Sequence, residues 1–337
     1  MPQGSDANEI ALLADVLRRL RAELGKVVYG QHHVVEELLI ALLADGHALL
    51  VGVPGLAKTL LVRTLAQTLS LQFKRIQFTP DLMPADITGT EALQHDPRTG
   101  DRCFRFLPGP VFANVLLADE INRTPPKTQA ALLEAMQERQ VTAGGERHAL
   151  PQPFFVLATQ NPIEQEGTYP LPEAQLDRFM LQILIDYPSA EEELQIVHST
   201  ASETAPEVAC LLDAAAVRDA TRLVRRAPIA DHLARFAVAL TRQTRPGRSA
   251  TPEFVQRYVT WGAGPRASQH LVLAAKARAV LGGRGFVEED DIRAAALPVL
   301  RHRVLVNYHA EADGVTSDAI VRRLLDSTSL EGAIGLS

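Results

Sequence analysis

The sequence predicts an α/β fold in which a mostly parallel five-stranded sheet is followed by a smaller α-helical domain. The first indication is a series of five short runs with strand patterns, at residues 48–51, 73–78, 115–118, 154–159 and 180–186; the second run alternates and the others are mostly apolar. Helical periodicity separates these runs, and this alternation is typical of parallel sheets with crossover helices. The second indication is that strong strand patterns then stop, and helical patterns follow at about 211–225, 229–243, 251–261, 265–282 and 288–301. We therefore expect an α/β domain over 1–188 and a helical domain over 189–337.

Composition narrows the class of protein. Of the 337 residues, 46% are hydrophobic, which is enough to bury a sizeable core. The formal net charge of −6 gives no overall basic surface, so nucleic acid is disfavoured as the main ligand. The two cysteines, Cys103 and Cys210, lie far apart and have no metal-type partner nearby. Free thiols in a reducing compartment are therefore expected instead of disulfides.

No segment has the pattern of an export signal or a membrane span. Residues 1–10 lack the basic start and apolar core of a signal peptide. The apolar stretch 38–53 is interrupted by Asp45, Gly46 and His47, so it does not predict a transmembrane helix. From these patterns we expect a cytoplasmic protein.

A glycine-rich turn between an apolar run and a helix predicts a phosphate-binding loop. Gly52 and Gly55 let the backbone turn its N–H groups toward phosphate, and the start of the next helix adds partial positive charge. Lys58 is expected to pair with the β- and γ-phosphates, and the Thr59 hydroxyl to ligate Mg²⁺. The predicted nucleotide-binding residues are Gly52, Val53, Pro54, Gly55, Leu56, Ala57, Lys58, Thr59 and Leu60.

The loop departs from the common pattern at one position. Ala57 stands where that pattern has a glycine just before the lysine. One methyl group at the start of a helix is sterically acceptable, so we keep the prediction of a phosphate loop. Taken alone, the same residues also fit a glycine-rich turn that leads into an ordinary core helix.

A break between two predicted N-terminal helices, over about 6–26 and 32–44, is a second candidate for nucleotide contact. In many nucleotide-binding folds such a turn packs against the adenine, and this role would fall to Val28 and Tyr29. A plain helix–helix turn explains the break equally well.

Two acidic residues end the third apolar run. Asp119 and Glu120 directly follow residues 115–118, and open parallel sheets bind their ligands at the carboxyl ends of the strands. Asp119 is expected to hold Mg²⁺ through water, opposite Thr59, and Glu120 to deprotonate the attacking water. Asn161 follows the fourth run, where its amide can reach both the γ-phosphate and that water. An exposed Asp-Glu turn is the alternative for the acidic pair.

Two segments predict hairpins that project from the α/β domain. Residues 86–112 contain many Pro and Gly residues around the short alternating run 103–107, and residues 138–152 contain a Gly-Gly turn. In the helical half, a glycine-rich break at 262–264 places Arg266 in the first turn of a helix. A cation there opposes the helix dipole, so an anionic partner would explain its position.

Together these motifs resemble those of AAA+ ATPases, and specifically those of the MoxR family. The matching segments are 52–59 with its alanine before the lysine, 117–123, 158–162 and 171–179, and the resemblance extends over about residues 25–310. It implies a P-loop AAA+ core with a helical lid, binding ATP and Mg²⁺. The segments 86–112 and 138–152 would be its insert hairpin and the hairpin before sensor 1, near the pore or face of a ring.

The same resemblance assigns roles to three further side chains. It implies that Asn161 is the sensor-1 residue, Arg178 the arginine finger and Arg266 the sensor-2 residue. Because an arginine finger acts across a subunit interface, the protein is expected to form a homo-oligomeric ring, usually a hexamer. The alternative for Arg178 is a surface salt bridge with Asp177 or Glu173.

The leading hypothesis is Mg²⁺-dependent ATP hydrolysis that drives chaperone-like remodelling, assembly or activation of a partner protein complex. The resemblance implies a protein client, often with a von Willebrand factor A domain, and sometimes metal insertion. Two alternatives remain open, a nucleic-acid translocase or helicase and a nucleotide-dependent scaffold with little turnover. The acidic net charge disfavours the first, and the complete set of chemical groups disfavours the second.

Overall fold

The computed structural model describes residues 4–95, 102–163, 167–200, 206–248 and 251–330. In chain order, the elements up to residue 184 are α1 (Gly4–Gly25), α2 (His32–Leu43), β1 (Ala48–Val51), α3 (Lys58–Thr68), β2 (Phe73–Gln77), α4 (Pro84–Thr88), β3 (Gly89–His95), β4 (Arg102–Pro108), β5 (Val115–Asp119), α5 (Pro126–Glu138), β6 (Gln140–Ala143), β7 (Glu146–Ala149), β8 (Phe155–Gln160), α6 (Glu173–Leu176) and β9 (Leu181–Leu184). They are followed by α7 (Ala190–Thr200), α8 (Ala214–Arg226), α9 (Asp231–Gln243), α10 (Glu253–Tyr258), β10 (Val259–Trp261), α11 (Pro265–Leu281), α12 (Glu289–Leu300), β11 (Leu305–Val306), α13 (Tyr308–Ala312) and α14 (Ser317–Ser327).

The central sheet has five strands in the order β2-β5-β8-β1-β9, and each neighbouring pair is parallel. The predicted α/β fold with a parallel five-stranded sheet is therefore confirmed. The inner strands are almost entirely apolar because helices cover both faces of the sheet. Since all five strands run the same way, the loops after β1, β5 and β8 meet at one edge.

The sheet separates two hydrophobic clusters. Successive residues of a strand point to opposite faces, so Leu117 and Leu157 join the cluster under α1, α2 and α3. Leu116 and Val156 join the cluster under α5. The first cluster continues into the helical half of the chain, where α11 packs against α1, α2 and α8 and α12 packs against β9.

Two antiparallel hairpins lie outside the central sheet. Strands β3 and β4 pair from Gly89 opposite Pro108 to His95 opposite Arg102, and β6 pairs with β7 around a Gly144-Gly145 turn. Both turn glycines have positive φ, 59° and 81°, which is the conformation that a two-residue hairpin turn requires. The rings of Phe106 on β4 and His148 on β7 stack with centroids 4.0 Å apart, so the hairpins contact each other.

The helical half differs from the sequence prediction in two places. The helix predicted over 251–261 ends at Tyr258, and Val259–Trp261 pairs with β11 as a short antiparallel strand. The β-branched and aromatic side chains of these residues favour an extended backbone, and pairing with β11 stabilises it. Helices α13 and α14 lie beyond residue 301, where no individual element was predicted. No helix within the described ranges is long and apolar enough to cross a membrane.

A buried histidine joins β1 to the neighbouring parts of the sheet domain. His47 accepts a hydrogen bond at Nδ1 from the backbone N–H of Val156 (3.1 Å), so its Nε2 carries the proton and donates to the carbonyl of Met136 (3.4 Å). Burial lowers the pKa of His47 to about 4, and the nearby charge of Arg139 contributes to this shift. The neutral ring satisfies both hydrogen bonds, whereas the protonated ring cannot accept the bond from Val156.

We expect the fold to lose stability on acidification partly through His47. The unfolded chain binds this proton near pH 6.5 and the folded chain only near pH 4, so stability is present above pH 6.5 and falls toward pH 4. His47→Gln should reduce this decrease in the free energy of unfolding by about 1–3 kcal/mol, because an amide can donate and accept hydrogen bonds without titrating. Urea unfolding at several pH values tests this, with the exposed His309→Gln as control. Equal pH dependence in wild type and His47→Gln would contradict it.

Candidate active site

The loop between β1 and α3 enters the helix through left-handed backbone conformations. Gly55 has φ of 87°, and Ala57, the residue before the helix, has φ of 54°. A left-handed conformation costs an L-residue such as alanine about 1–2 kcal/mol, which explains why glycine is common at this position. The loop borders a cavity of about 430 Å³, lined by Pro54, Gly55, Leu56, Ala57, Lys58, Thr59, Leu60, Arg75, Asp119, Glu120, Thr159 and Asn161.

The ammonium group of Lys58 is held inside this loop. It donates a hydrogen bond to the backbone carbonyl of Gly52. Partial burial lowers the pKa of Lys58, and the nearby carboxylates of Asp119 and Glu120 oppose that shift. A partly desolvated ammonium group beside the start of α3 attracts an anion, because both the charge and the helix terminus favour one.

Neighbouring strands position the carboxylate of Asp119. Its Oδ1 accepts a hydrogen bond from the Thr159 hydroxyl of β8 at 2.6 Å, and its Oδ2 contacts Nη2 of Arg75 from β2 at 2.7 Å. The same Thr159 hydroxyl accepts the backbone N–H of Glu120 at 2.8 Å. Thr159 is fully buried, so it fixes the backbone and the side chain at the end of β5 together.

The carboxylate of Glu120 is held at the rim of the same cavity. Its Oε2 accepts hydrogen bonds from Nε2 of Gln77 at 2.8 Å and from Nη1 of Arg123 at 3.2 Å. Glu120 has φ of 56°, a left-handed conformation that is uncommon outside glycine. Strained positions of this kind cluster at functional sites, where surrounding contacts stabilise them.

Asn161 provides a buried donor that has no acceptor. The residue follows β8 and is 6% exposed; its Oδ1 accepts the backbone N–H of Ile163 at 3.2 Å. Its Nδ2 has no hydrogen-bond partner among the described residues. An unpaired buried N–H group costs about 1–3 kcal/mol, so an acceptor oxygen in the cavity would stabilise the site.

These residues fit a phosphate chain with a bound Mg²⁺. The site combines the ammonium of Lys58, the hydroxyl of Thr59, the carboxylate of Asp119 and the unpaired amide donor of Asn161. Mg²⁺ is usually held by one or two carboxylates together with substrate phosphates, and Asp119 and Thr59 border the same cavity.

Other predicted nucleotide contacts lie outside the cavity wall. Val28 is buried in the hydrophobic core, and the Tyr29 hydroxyl donates to the backbone carbonyl of Lys26 at 3.2 Å. Gly52 lies beneath the loop, where a side chain would clash with the carbonyl of Ile185, and Val53 does not line the cavity either. An adenine contact by Val28 and Tyr29 stays a prediction.

The predicted arginine finger lies apart from the cavity of its own chain. Arg178 borders a separate groove of about 390 Å³ along α5, together with Glu134, Gln137 and Glu138. Within the described residues, Arg178 forms no ion pair with Asp177 or Glu173, which was the alternative suggested by the sequence. The side chain is therefore not engaged by the acidic neighbours on its own segment.

The predicted sensor-2 residue contacts the neighbour of Arg178 in sequence. Nη1 of Arg266, in the first turn of α11, lies 3.4 Å from Oδ2 of Asp177. Nε of Arg303 lies 2.7 Å from the other oxygen, Oδ1, and the Arg303 side chain is only 2% exposed. Arg303 also donates to the carbonyls of Phe179 and Met180. We call these contacts of Asp177, Arg266 and Arg303 the arginine joint.

Three further residues that contact the candidate site have no local sequence signal for this role. Arg75 and Gln77 alternate with apolar residues on β2, and Thr159 is the penultimate residue of β8. The alternation indicated which side chains share a face of β2. The pairing of β2 with β5 places Gln77 opposite Asp119. This pairing brings Arg75 and Gln77 close to the carboxylates of Asp119 and Glu120.

Comparison with known proteins identifies the family. A family profile described as "ATPase family associated with various cellular activities (AAA)" matches residues 47–181, and one described as "AAA lid domain" matches residues 253–324. The chain is 42% identical to Chaperone MoxR1 of Mycobacterium tuberculosis over 324 residues, or 96% of this chain and 85% of that protein. The chain belongs to the MoxR family of AAA+ ATPases.

Further relatives extend this MoxR assignment. Protein MoxR of Paracoccus denitrificans is 32% identical over 326 residues, covering 92% of this chain and 94% of that protein. Protein YeaC of Bacillus subtilis, which is uncharacterised, is 41% identical over 94% of this chain and 96% of its own length. A crystal structure of a candidate ATPase from Cytophaga hutchinsonii superimposes with a TM-score of 0.89 at 42% identity, covering 96% of this chain and 98% of that one.

The arginine joint of this MoxR protein should contribute measurably to stability. Asp177→Asn removes a charge that compensates the buried guanidinium of Arg303, whose pKa is already lowered by burial. We expect a loss of about 1–3 kcal/mol in the free energy of unfolding at pH 7, measured by urea titration. The control is Asp231→Asn, which removes an exposed pair with Arg235 and should cost less than about 0.5 kcal/mol. Similar effects of the two substitutions would contradict a stabilising joint.

Proposed function

We propose that this protein is a Mg²⁺-dependent ATPase that works as a ring and remodels a partner protein or complex. The observation that carries the proposal is the convergence of Lys58, Asp119, Glu120 and the unpaired amide of Asn161 around one cavity. A cationic loop at a helix start binds phosphates, and two carboxylates that line the same cavity supply a metal ligand and a base. The AAA+ family membership supports nucleotide binding at this site.

In the proposed reaction, the phosphate chain lies against the loop, where Lys58 contacts the β- and γ-phosphates in place of the Gly52 carbonyl. Thr59 and Asp119 would hold Mg²⁺, which neutralises negative charge on the terminal phosphates when bound. Glu120 accepts a proton from a water molecule as the water oxygen bonds to the γ-phosphorus and the bond to the β-phosphate oxygen breaks. Asn161 Nδ2 donates to the γ-phosphate or to that water.

Contacts around Glu120 support its role as the base. Gln77 and Arg123 both donate to Oε2, so one carboxylate oxygen is anchored by hydrogen bonds. The buried Thr159 hydroxyl fixes the backbone N–H of the same residue. These contacts fix the position of the carboxylate relative to the cavity. Proton transfer by a positioned base typically raises the reaction rate by about 10²–10⁴-fold.

The ring and the client are proposed on the basis of the family and the position of Arg178. This side chain borders a groove away from its own cavity, which suits a residue that completes the site of a neighbouring copy. Arg266 would contact phosphate from the lid. One relative is named a chaperone, which supports a protein client, and the resemblance suggests one with a von Willebrand factor A domain. A hexamer, cytoplasmic location and a domain boundary near residue 188 stay predictions.

Removing the base should abolish turnover and leave binding intact. In Glu120→Gln, the amide cannot accept the proton of the attacking water but keeps the size of the side chain. We expect steady-state phosphate release to fall by about 10²–10⁴-fold while a fluorescent ATP analogue still binds. Glu311→Gln, on the exposed face of α13, is the matched control. An unchanged rate in Glu120→Gln would remove this residue from the role of base.

Mixing two inactive variants tests action between subunits. Arg178→Ala lacks the proposed arginine finger but keeps an intact phosphate loop. Lys58→Ala lacks the loop lysine but keeps the arginine finger. Each alone should lose most phosphate release. A one-to-one mixture should regain part of it, because roughly a quarter of the interfaces would combine an intact loop with an intact finger. If mixing restores nothing while both variants assemble with wild-type protein, action in trans loses its support.

A further inference from the structure

Arg75 has no role in the proposed reaction, although its side chain lines the active-site cavity. The residue lies on β2, one of the two edge strands of the central sheet, and its side chain is 46% exposed and lines the cavity. Both Nε and Nη2 contact Oδ2 of Asp119, at 3.1 and 2.7 Å. The contact depends on strand register, since Gln77 lies opposite Asp119 and Arg75 lies two residues earlier on the same face of β2.

The two oxygens of Asp119 are therefore both engaged within the chain. Thr159 donates to Oδ1, and Arg75 donates twice to Oδ2. A divalent cation and a guanidinium group repel each other strongly at the few ångströms that separate two partners of one carboxylate. A cation approaching Asp119 thus competes with Arg75 for the same negative charge.

The guanidinium of Arg75 has a second partner that keeps it near the site. Nη2 also donates to Oε1 of Gln77 at 2.6 Å, and Nε2 of that amide donates to Glu120 at 2.8 Å. Arg75 can therefore leave Asp119 without leaving the cavity wall. Because the side chain is partly exposed, this exchange needs no unfolding of the strand.

We propose that Arg75 is a counter-cation of Asp119 and that it competes with Mg²⁺ for the negative charge of this carboxylate. Arg75 then sets the Mg²⁺ concentration at which the nucleotide complex forms. It is a positioning residue that acts through Asp119. This proposal rests on the proposed function, in which Asp119 is the metal ligand.

The test measures metal dependence of binding, not turnover. A fluorescent, non-hydrolysable ATP analogue is titrated with MgCl₂ from a chelator-buffered zero, and the midpoint of the Mg²⁺-dependent change in affinity is recorded. Arg75→Gln removes the competing charge, so the midpoint should fall by about two- to fivefold, as expected for a partly exposed ion pair. Arg75→Lys keeps the charge and should remain close to wild type. Arg222→Gln, which removes an exposed pair with Asp219 on α8, is the control and should change nothing.

A double-mutant cycle separates this proposal from the proposed function. In an Asp119→Asn background, adding Arg75→Gln should no longer move the midpoint, because the shared carboxylate is gone. A higher or unchanged midpoint in Arg75→Gln alone overturns the role of Arg75. A normal Mg²⁺ dependence in Asp119→Asn alone instead overturns the assignment of Asp119 as metal ligand. Thermal unfolding of each variant establishes that the measured protein is folded.

Discussion

The parallel pairing of β2, β5, β8 and β1 is the constraint on which the candidate site depends. Strands β2, β5 and β8 deliver their last polar residues to one edge of the sheet, and β1 delivers the glycine-rich loop to the same edge. A shift of one residue in any pair would turn the polar side chains to the other face. Thr159 illustrates this dependence, because its hydroxyl bridges the carboxylate of Asp119 and the backbone of Glu120 across two strands. The buried apolar strands fix that register, so the packing of the core determines the geometry of the cavity.

Most of the charges around the cavity are compensated by contacts within the chain. Lys58 contacts a backbone carbonyl, Asp119 contacts Arg75, and Glu120 contacts Arg123. Such a site is stable without a ligand because few of its polar groups are left without partners. Among the described residues of the cavity, the amide donor of Asn161 is buried and has no hydrogen-bond partner. Phosphate binding would then exchange one set of electrostatic contacts for another, and it would add an acceptor for Asn161.

Local sequence patterns were sufficient for the parts of the site that lie next to each other along the chain. The glycine-rich turn before Lys58 and the apolar run before Asp119 each contain the strand, the turn and the functional residue in one window. Arg75 could not be assigned in this way, because its contact depends on which strands are neighbours. Similarly, the sequence did not show that Asp177 pairs with Arg303, which lies 126 residues later in the chain. The strand β10 was missed because its pairing with β11 also joins distant segments.

The stacking of Phe106 on His148 ties the hairpin β3–β4 to the hairpin that leads directly into β8. His148 lies on β7, and only five residues separate the end of that strand at Ala149 from the start of β8 at Phe155. The ring pair on β4 and β7 is therefore joined by a short segment to the strand that carries Thr159 and leads into Asn161. The position of the two hairpins and the position of β8 are thus not structurally independent of each other.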